Sequence, residues 1–182
     1  MSDAARERVE EFMEELESTG LMTMTFSFDD YYDVLRGIMD NREGYCTVLV
    51  AASMPHRLLL DTLDSLGSDV DDVRAIDCIS YCVLGDPHGE AIYIESPTIL
   101  EKVLMSLEVV RRESQKPLLV VVDSFNAFYL HNDYRTMSAF LQIMAHRLKN
   151  NGDVGVLLSL KEQGTVENEN MMHLISERNL EL

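Results

Sequence analysis

The sequence predicts a three-layer α/β domain, with helices on both faces of a mainly parallel sheet of about five strands and one helix added at the N-terminal end. Three observations carry that prediction. Leu118, Leu119, Val120, Val121 and Val122 form an unbroken apolar run that ends in Asp123 and Ser124, the pattern of a strand covered on both faces in a parallel sheet. From residue 45 onward, such runs alternate with longer segments of helical period, and strands joined through helices close as right-handed crossovers between parallel neighbours. The 182 residues are 46% apolar and 26% charged, enough for one domain with a real core. There is no internal repeat, low-complexity tract or linker to divide it.

The first segment, residues 3–19, sets Val9, Phe12, Met13 and Leu16 at helical spacing with Gly20 as its stop. Its opposite face carries Glu7, Glu10, Glu11, Glu14 and Glu15. Such a helix either packs on its own domain or docks on a partner. We take residues 1–24 as an N-terminal appendage and residues 25–182 as the α/β domain. Met22, Met24, Phe26 and Phe28 alternate with Thr23, Thr25 and Ser27, which predicts a short, half-buried strand at an edge of the sheet. Tyr32, Leu35, Ile38 and Met39 return to helical spacing.

The central part predicts a strand over residues 45–52, a helix over 55–66 stopped by Gly67, and a strand over 73–80. A loop through His88 follows, then an extended piece over 91–94. Ser96 followed by Pro97 is a helix start signal, and the helix runs to about residue 114 with Leu100, Val103, Leu104 and Leu107 inward. After the strand at 118–123 come a helix over 133–150, a strand over 154–160, a helix over 168–175 and the start of a last strand at 178–182.

Composition excludes several function classes. A formal charge of -17 opposes direct binding of nucleic acid, where affinity comes largely from cations that neutralise phosphates. The apolar runs fall far short of the roughly 20 residues that span a bilayer, and residues 1–7 lack the apolar stretch of a signal peptide, so we expect a cytoplasmic protein without membrane insertion. The acidic surface suits either a salt-rich cytoplasm or a basic partner. Cys46, Cys78 and Cys82 cannot all pair, and no second pair of ligands accompanies Cys78 and Cys82, so we expect neither a metal site nor a cofactor.

Asp123 is the candidate around which any chemistry would gather, because ligands of open α/β sheets bind outside the carboxyl ends of the strands. It reads either as an acid that holds Mg²⁺ beside a nucleotide or as a capping residue together with Ser124. His56 and Arg57 begin a helix, where the dipole favours an anion; they read either as a weak phosphate site or as first-turn surface residues. His88 lies in a glycine-flanked loop with no nucleophile near it in sequence, and a hydrolase built on it or on His56 is the least favoured reading.

The order of these features resembles the core of RecA/KaiC-type P-loop ATPases. Phe28-Asp29 with the following helix resembles the lead-in to the first strand, and residues 47–53, Thr-Val-Leu-Val-Ala-Ala-Ser, stand where the strand before the phosphate loop would be. Residues 119–124 are similar to a Walker B strand with its following Ser, residues 132–151 to the long helix after it, and residues 155–160 to the strand inserted beside it. Ile76-Asp77-Cys78 and Ile94-Glu95-Ser96-Pro97-Thr98 further resemble a group of archaeal KaiC-like proteins without assigned activity. The resemblance covers residues 25–182.

The departures from the family pattern set the functional expectation. A phosphate loop needs glycines, a Lys for the phosphates and a hydroxyl for Mg²⁺. Ser53-Met54-Pro55-His56-Arg57 offers no Gly and no Lys, and Pro55 removes a donor. The catalytic Glu pair of KaiC-type ATPases would fall near Ser80-Tyr81-Cys82, where no acid stands. The expectation is a pseudo-ATPase: a non-catalytic module for regulation or scaffolding that works through a protein partner or self-association. The alternative is an ATP-binding protein whose site is shared between subunits, with Asp123, Ser124, His56 and Arg57 at the nucleotide.

Overall fold

The computed structural model describes residues 3–14 and 19–182 of the chain. Helix α1 (Asp3–Glu14) precedes strand β1 (Gly20–Phe26), a 3-10 turn (Phe28–Asp30) and α2 (Tyr31–Asp40). Then come β2 (Cys46–Ala51), α3 (His56–Ser65), β3 (Arg74–Asp77), a short α4 (Ser80–Leu84), β4 (Ile92–Tyr93) and α5 (Leu100–Glu113). The last part contains β5 (Leu118–Asp123), α6 (Phe125–His131), α7 (Tyr134–Asn151), β6 (Val154–Leu160), α8 (Val166–Ile175) and β7 (Arg178–Glu181).

Among the described residues the seven strands form one sheet in the order β4-β3-β2-β5-β6-β1-β7, with every neighbouring pair parallel. This is the predicted three-layer α/β architecture, with seven strands where the sequence suggested about five. The extra strands are edge pieces, two residues in β4 and four in β7, too short to show a period. Alternation along each central strand feeds two cores. Val48, Val50, Val120 and Val122 face α5, α6 and α7, while Leu49, Ala51, Leu119 and Val121 face α1, α2 and α3.

β1 departs from expectation. It lies between β6 and β7 rather than at an edge, and all its residues except Thr25 are buried. The threonines that suggested a wet face are accommodated by β7: the buried Thr23 hydroxyl bonds the Asn179 side chain. A strand arriving from the far end of the chain covers what local sequence presents as solvent-facing. β1 also crosses the boundary at residue 24 that the sequence suggested, and Gly20 is its first residue.

α1 packs on its own domain. Val9, Phe12 and Met13 are buried, and Gly37 of α2 gives the helix room, since a Cβ there would stand 2.8 Å from Val9 Cγ1. The Arg178 guanidinium covers the Phe12 ring at 4.7 Å. Leu16 and Glu15 lie outside the described residues. Two further boundaries differ. α5 starts at Leu100, because the Ser96 hydroxyl accepts from Thr98 N (3.3 Å) and closes a local turn in place of a helix cap. β3 stops at Asp77, and residues 80–84, expected to complete the strand and open a loop, turn as α4.

Candidate functional site

The carboxyl edge of β2, β3 and β5 brings four loop segments together. β2 is the central strand of the three, and its last residue, Ala51, pairs in register with Asp77 on one side and Asp123 on the other. The turn from residue 52 to 55 leaves β2 between these two acids and enters α3 at His56. Both acids are fully buried, at 0% exposure, so each needs hydrogen bonds from the protein.

Asp123 takes its partners from two directions. Tyr31, at the start of α2, donates its hydroxyl to Oδ1 (2.8 Å), and Ser53 donates its hydroxyl to Oδ2 (2.5 Å). The backbone joins in: Ala52 N and Ser53 N both donate to the Asp123 carbonyl, at 2.6 and 3.2 Å. Burial pushes the Asp123 carboxyl above its ordinary range, against the pull of the Ser53 and Tyr31 hydrogen bonds. Burial, with Asp123 beside it, likewise pushes the Tyr31 phenol up. Ser124, expected beside Asp123 at a ligand, turns the other way and caps α6, accepting from Ala127 N at 3.3 Å.

Asp77 is the most heavily bonded side chain of the edge. Its Oδ2 accepts from His56 N (2.9 Å) and the Ser80 hydroxyl (2.7 Å) and faces His56 Nδ1 at 2.6 Å. Its Oδ1 accepts from Ile79 N (3.0 Å) and Ser80 N (2.7 Å). Burial works to raise its pKa, yet the hydrogen bonds from His56 and Ser80 outweigh it and hold the carboxyl well below its usual range. Asp77 thus places a carboxylate at the N-terminus of α3, where the helix dipole and free first-turn N–H groups attract an anion.

The candidates named from sequence therefore separate. His56 is buried against Asp77 and meets the Tyr93 ring edge to face at 5.7 Å. Arg57 is exposed and lies over Gly89 beside the Tyr93 hydroxyl; a Cβ on Gly89 would come within 2.5 Å of the guanidinium. Asp123 and His56 grip opposite ends of one turn without touching. His88 is exposed, with Asp86 3.8 Å away, and among the described residues no nucleophile is hydrogen-bonded to its ring. Among the described residues no group of three or more His, Cys, Asp or Glu is placed to hold a metal ion, and no helix is long and apolar enough to cross a membrane.

Tyr31, Ser53 and above all Asp77 were not singled out from sequence. Asp77 carried the same signal as Asp123, an acid directly after a strand's apolar residues. It was hidden because the predicted strand ran on to residue 80.

No protein-family model matches the chain, and no curated protein matches it in sequence. Solved structures do match its fold. An uncharacterized protein of Pyrococcus horikoshii, crystallised with an unknown peptide, superposes with a TM-score of 0.71 at 11% identity, over 96% of this chain and 82% of that one. A KaiC-like protein of Pyrococcus horikoshii OT3 gives 0.62 at 15% identity, over 90% and 71%. The flagellar accessory protein FlaH of Methanocaldococcus jannaschii gives 0.60 at 11%, over 89% and 70%. The chain shares its fold with these archaeal proteins, a KaiC-like protein and FlaH among them.

Proposed function

We propose that this chain is a non-catalytic RecA/KaiC-like domain that acts through protein contacts, as a regulatory or scaffolding module. The observation that carries the reading is the occupation of the phosphate-loop region by the protein's own groups. In P-loop ATPases the turn after this strand wraps phosphates with backbone N–H groups, a Lys reaches the terminal phosphates, and an acid at the end of the neighbouring strand helps to hold Mg²⁺. Here Ala52 N and Ser53 N are spent on the Asp123 carbonyl, and His56 N is spent on Asp77. The Asp123 carboxylate is held by two protein hydroxyls on both oxygens. Asp77 supplies the negative charge at α3 that a phosphate would otherwise bring, so an incoming phosphate meets repulsion in place of donors.

Protein contact as the mode of action draws support from two sides. The charge of -17 disfavours nucleic acid, and the Pyrococcus horikoshii protein of the same fold was crystallised with a peptide. The test is calorimetric titration with MgATP at low and high salt, the latter to screen the acidic surface. The expected result is no saturable heat and no change in association state. Saturable binding, or self-association driven by MgATP, overturns the reading in favour of a nucleotide site shared between subunits.

A further inference from the structure

Three neighbouring strands, β5, β6 and β1, lead at the carboxyl edge into segments that expose large apolar side chains. Leu130 in the last turn of α6, Val166 at the start of α8 and Phe28 after β1 are 77%, 75% and 66% exposed. Hydrogen bonds hold these segments side by side. The Asn126 side chain accepts from Leu160 N (2.8 Å) and donates to the Leu160 carbonyl (3.4 Å), joining α6 to the end of β6. The Tyr129 hydroxyl donates to Glu167 at 3.0 Å, joining α6 to α8. The Glu162 carboxylate accepts from Phe28 N at 3.1 Å, joining the turn after β6 to the end of β1. The Phe28 ring stacks on Tyr31 with centroids 6.3 Å apart, and the rest of the side chain is left to solvent.

The charge on these segments is negative. Residues 27–30, 124–135 and 161–170 carry Asp29, Asp30, Asp133, Glu162, Glu167 and Glu169 against the cations Lys161 and Arg135. None of the six acids forms an ion pair among the described residues, and Lys161 is already engaged with Glu181 at 3.2 Å. An exposed apolar patch with such a rim marks a contact surface, and its complement is apolar and basic. Anionic membranes and nucleic acid meet repulsion here. A second copy brings the same charge of -17. Its long acid-free helix, α7, exposes Tyr134 and Ile143, which 3.6 residues per turn put on opposite sides of the helix, so it offers no apolar stripe.

We propose that the patch of Leu130, Val166 and Phe28 docks a basic amphipathic helix of a partner protein. This rests on the protein-contact reading above and names its site. The ends of β5, β6 and β1 cover two inter-strand spacings, about 10 Å, so the patch is wide enough for about two turns of helix. Apolar anchors at i, i+4 and i+7 supply the affinity. Lys and Arg on the flanks of the helix meet the acid rim, where they speed encounter and reject acidic partners.

The test follows the anisotropy of a fluorescein-labelled, end-blocked helical peptide, with Leu at i, i+4 and i+7 and Lys and Ala elsewhere, against the full chain. Saturable binding at low salt is expected. A peptide of the same composition with its Leu residues spread around the helix is expected to bind at least tenfold more weakly, and one with Glu in place of Lys not at all. These comparisons use unaltered protein, so they do not hang on the folding of a variant. Leu130→Ser and Val166→Ser change exposed side chains, and each is expected to weaken binding at least fivefold; Met105→Ser, on α5 outside the patch, is expected to leave it unchanged. Glu169→Lys is expected to weaken it at least fivefold at low salt, with the difference shrinking at high salt. No saturable binding, equal binding of the scrambled peptide, or indifference to Leu130→Ser and Val166→Ser overturns the proposal. Sedimentation that shows dimers dissolved by Leu130→Ser overturns it in favour of a second copy. MgATP titration of the same sample separates the two readings. Peptide silence without nucleotide binding removes the patch alone, and nucleotide binding removes the non-catalytic reading.

Discussion

Asp77 and Asp123 stand level with each other on either side of Ala51, in register on the two strands that flank β2. Each holds one end of the turn that leaves β2: Asp123 takes Ser53, and Asp77 takes His56. In a phosphate-binding loop that turn must stay open to a ligand. Here it is tied down at both ends by buried acids.

Asp77→Ala leaves the buried His56 ring and the Ser80 and Ile79 donors without their acceptor. An orphaned buried donor costs about 1–3 kcal/mol, and with several donors to Asp77 orphaned together urea unfolding should register a loss of at least that size. Asp77→Asn, which keeps an acceptor oxygen, should cost less. A loss below about 1 kcal/mol for the Ala variant would mean that the turn is not held by Asp77.

The two acids should act oppositely on the pH dependence of stability. Asp77 is held below its ordinary value of 3.8 in the folded state, so its contribution is present above pH 3.8 and is lost as pH falls from there toward the folded value. Asp123 is held above 3.8; the folded state binds its proton more tightly than the unfolded chain does, so its contribution declines as pH rises from 3.8 through the folded value. Unfolding free energies from pH 3 to pH 7 should therefore show a shallower acid-side loss in Asp77→Asn than in the parent. Asp123→Asn should instead lose the decline on the rising side. Identical profiles for the two variants would contradict the assignment.

Asp123→Ala leaves the Tyr31 and Ser53 hydroxyls without their shared acceptor. An orphaned buried donor costs about 1–3 kcal/mol, and the variant should lose stability in that range while nucleotide titrations stay flat for parent and variant alike. A nucleotide signal in the parent that vanishes in the variant would restore Asp123 as a ligand to bound Mg²⁺.

Gly37→Ala places a methyl 2.8 Å from Val9 Cγ1 and 3.3 Å from the Arg6 carbonyl, so α1 must lift or tilt. Overpacking of this kind costs about 1–3 kcal/mol. Hydrogen exchange should speed up in α1 and the facing turns of α2, with β2 and β5 unchanged. Unaltered exchange in α1 would show that Gly37 does not set its docking.

The three thiols should separate by burial. Cys82 is exposed, Cys46 is half-buried and Cys78 is buried, and burial, with Asp77 beside it, pushes the Cys78 thiol up. Ellman's reagent on the native chain should titrate Cys82 quickly, Cys46 slowly and Cys78 only on unfolding. Fast reaction of Cys78 would mean that the end of β3 is open.

Much of this protein could be read along the chain. Leu118 to Asp123 gave a buried central strand with an acid at its functional edge because both its faces are apolar, a one-dimensional signal. The helices α2, α3 and α7 were visible from their periods, and the RecA/KaiC-like order followed from the sequence of elements. The missing Gly and Lys between residues 53 and 57 are likewise a fact of sequence. What lay beyond it were relations between distant residues. Whether β1 is an edge depended on β7, some 150 residues away. The partners of Asp123 come from Tyr31 and Ser53, and those of His56 from Asp77. Periodicity reports only whether a face is apolar; which polar group answers a buried charge is decided where separate strands end side by side.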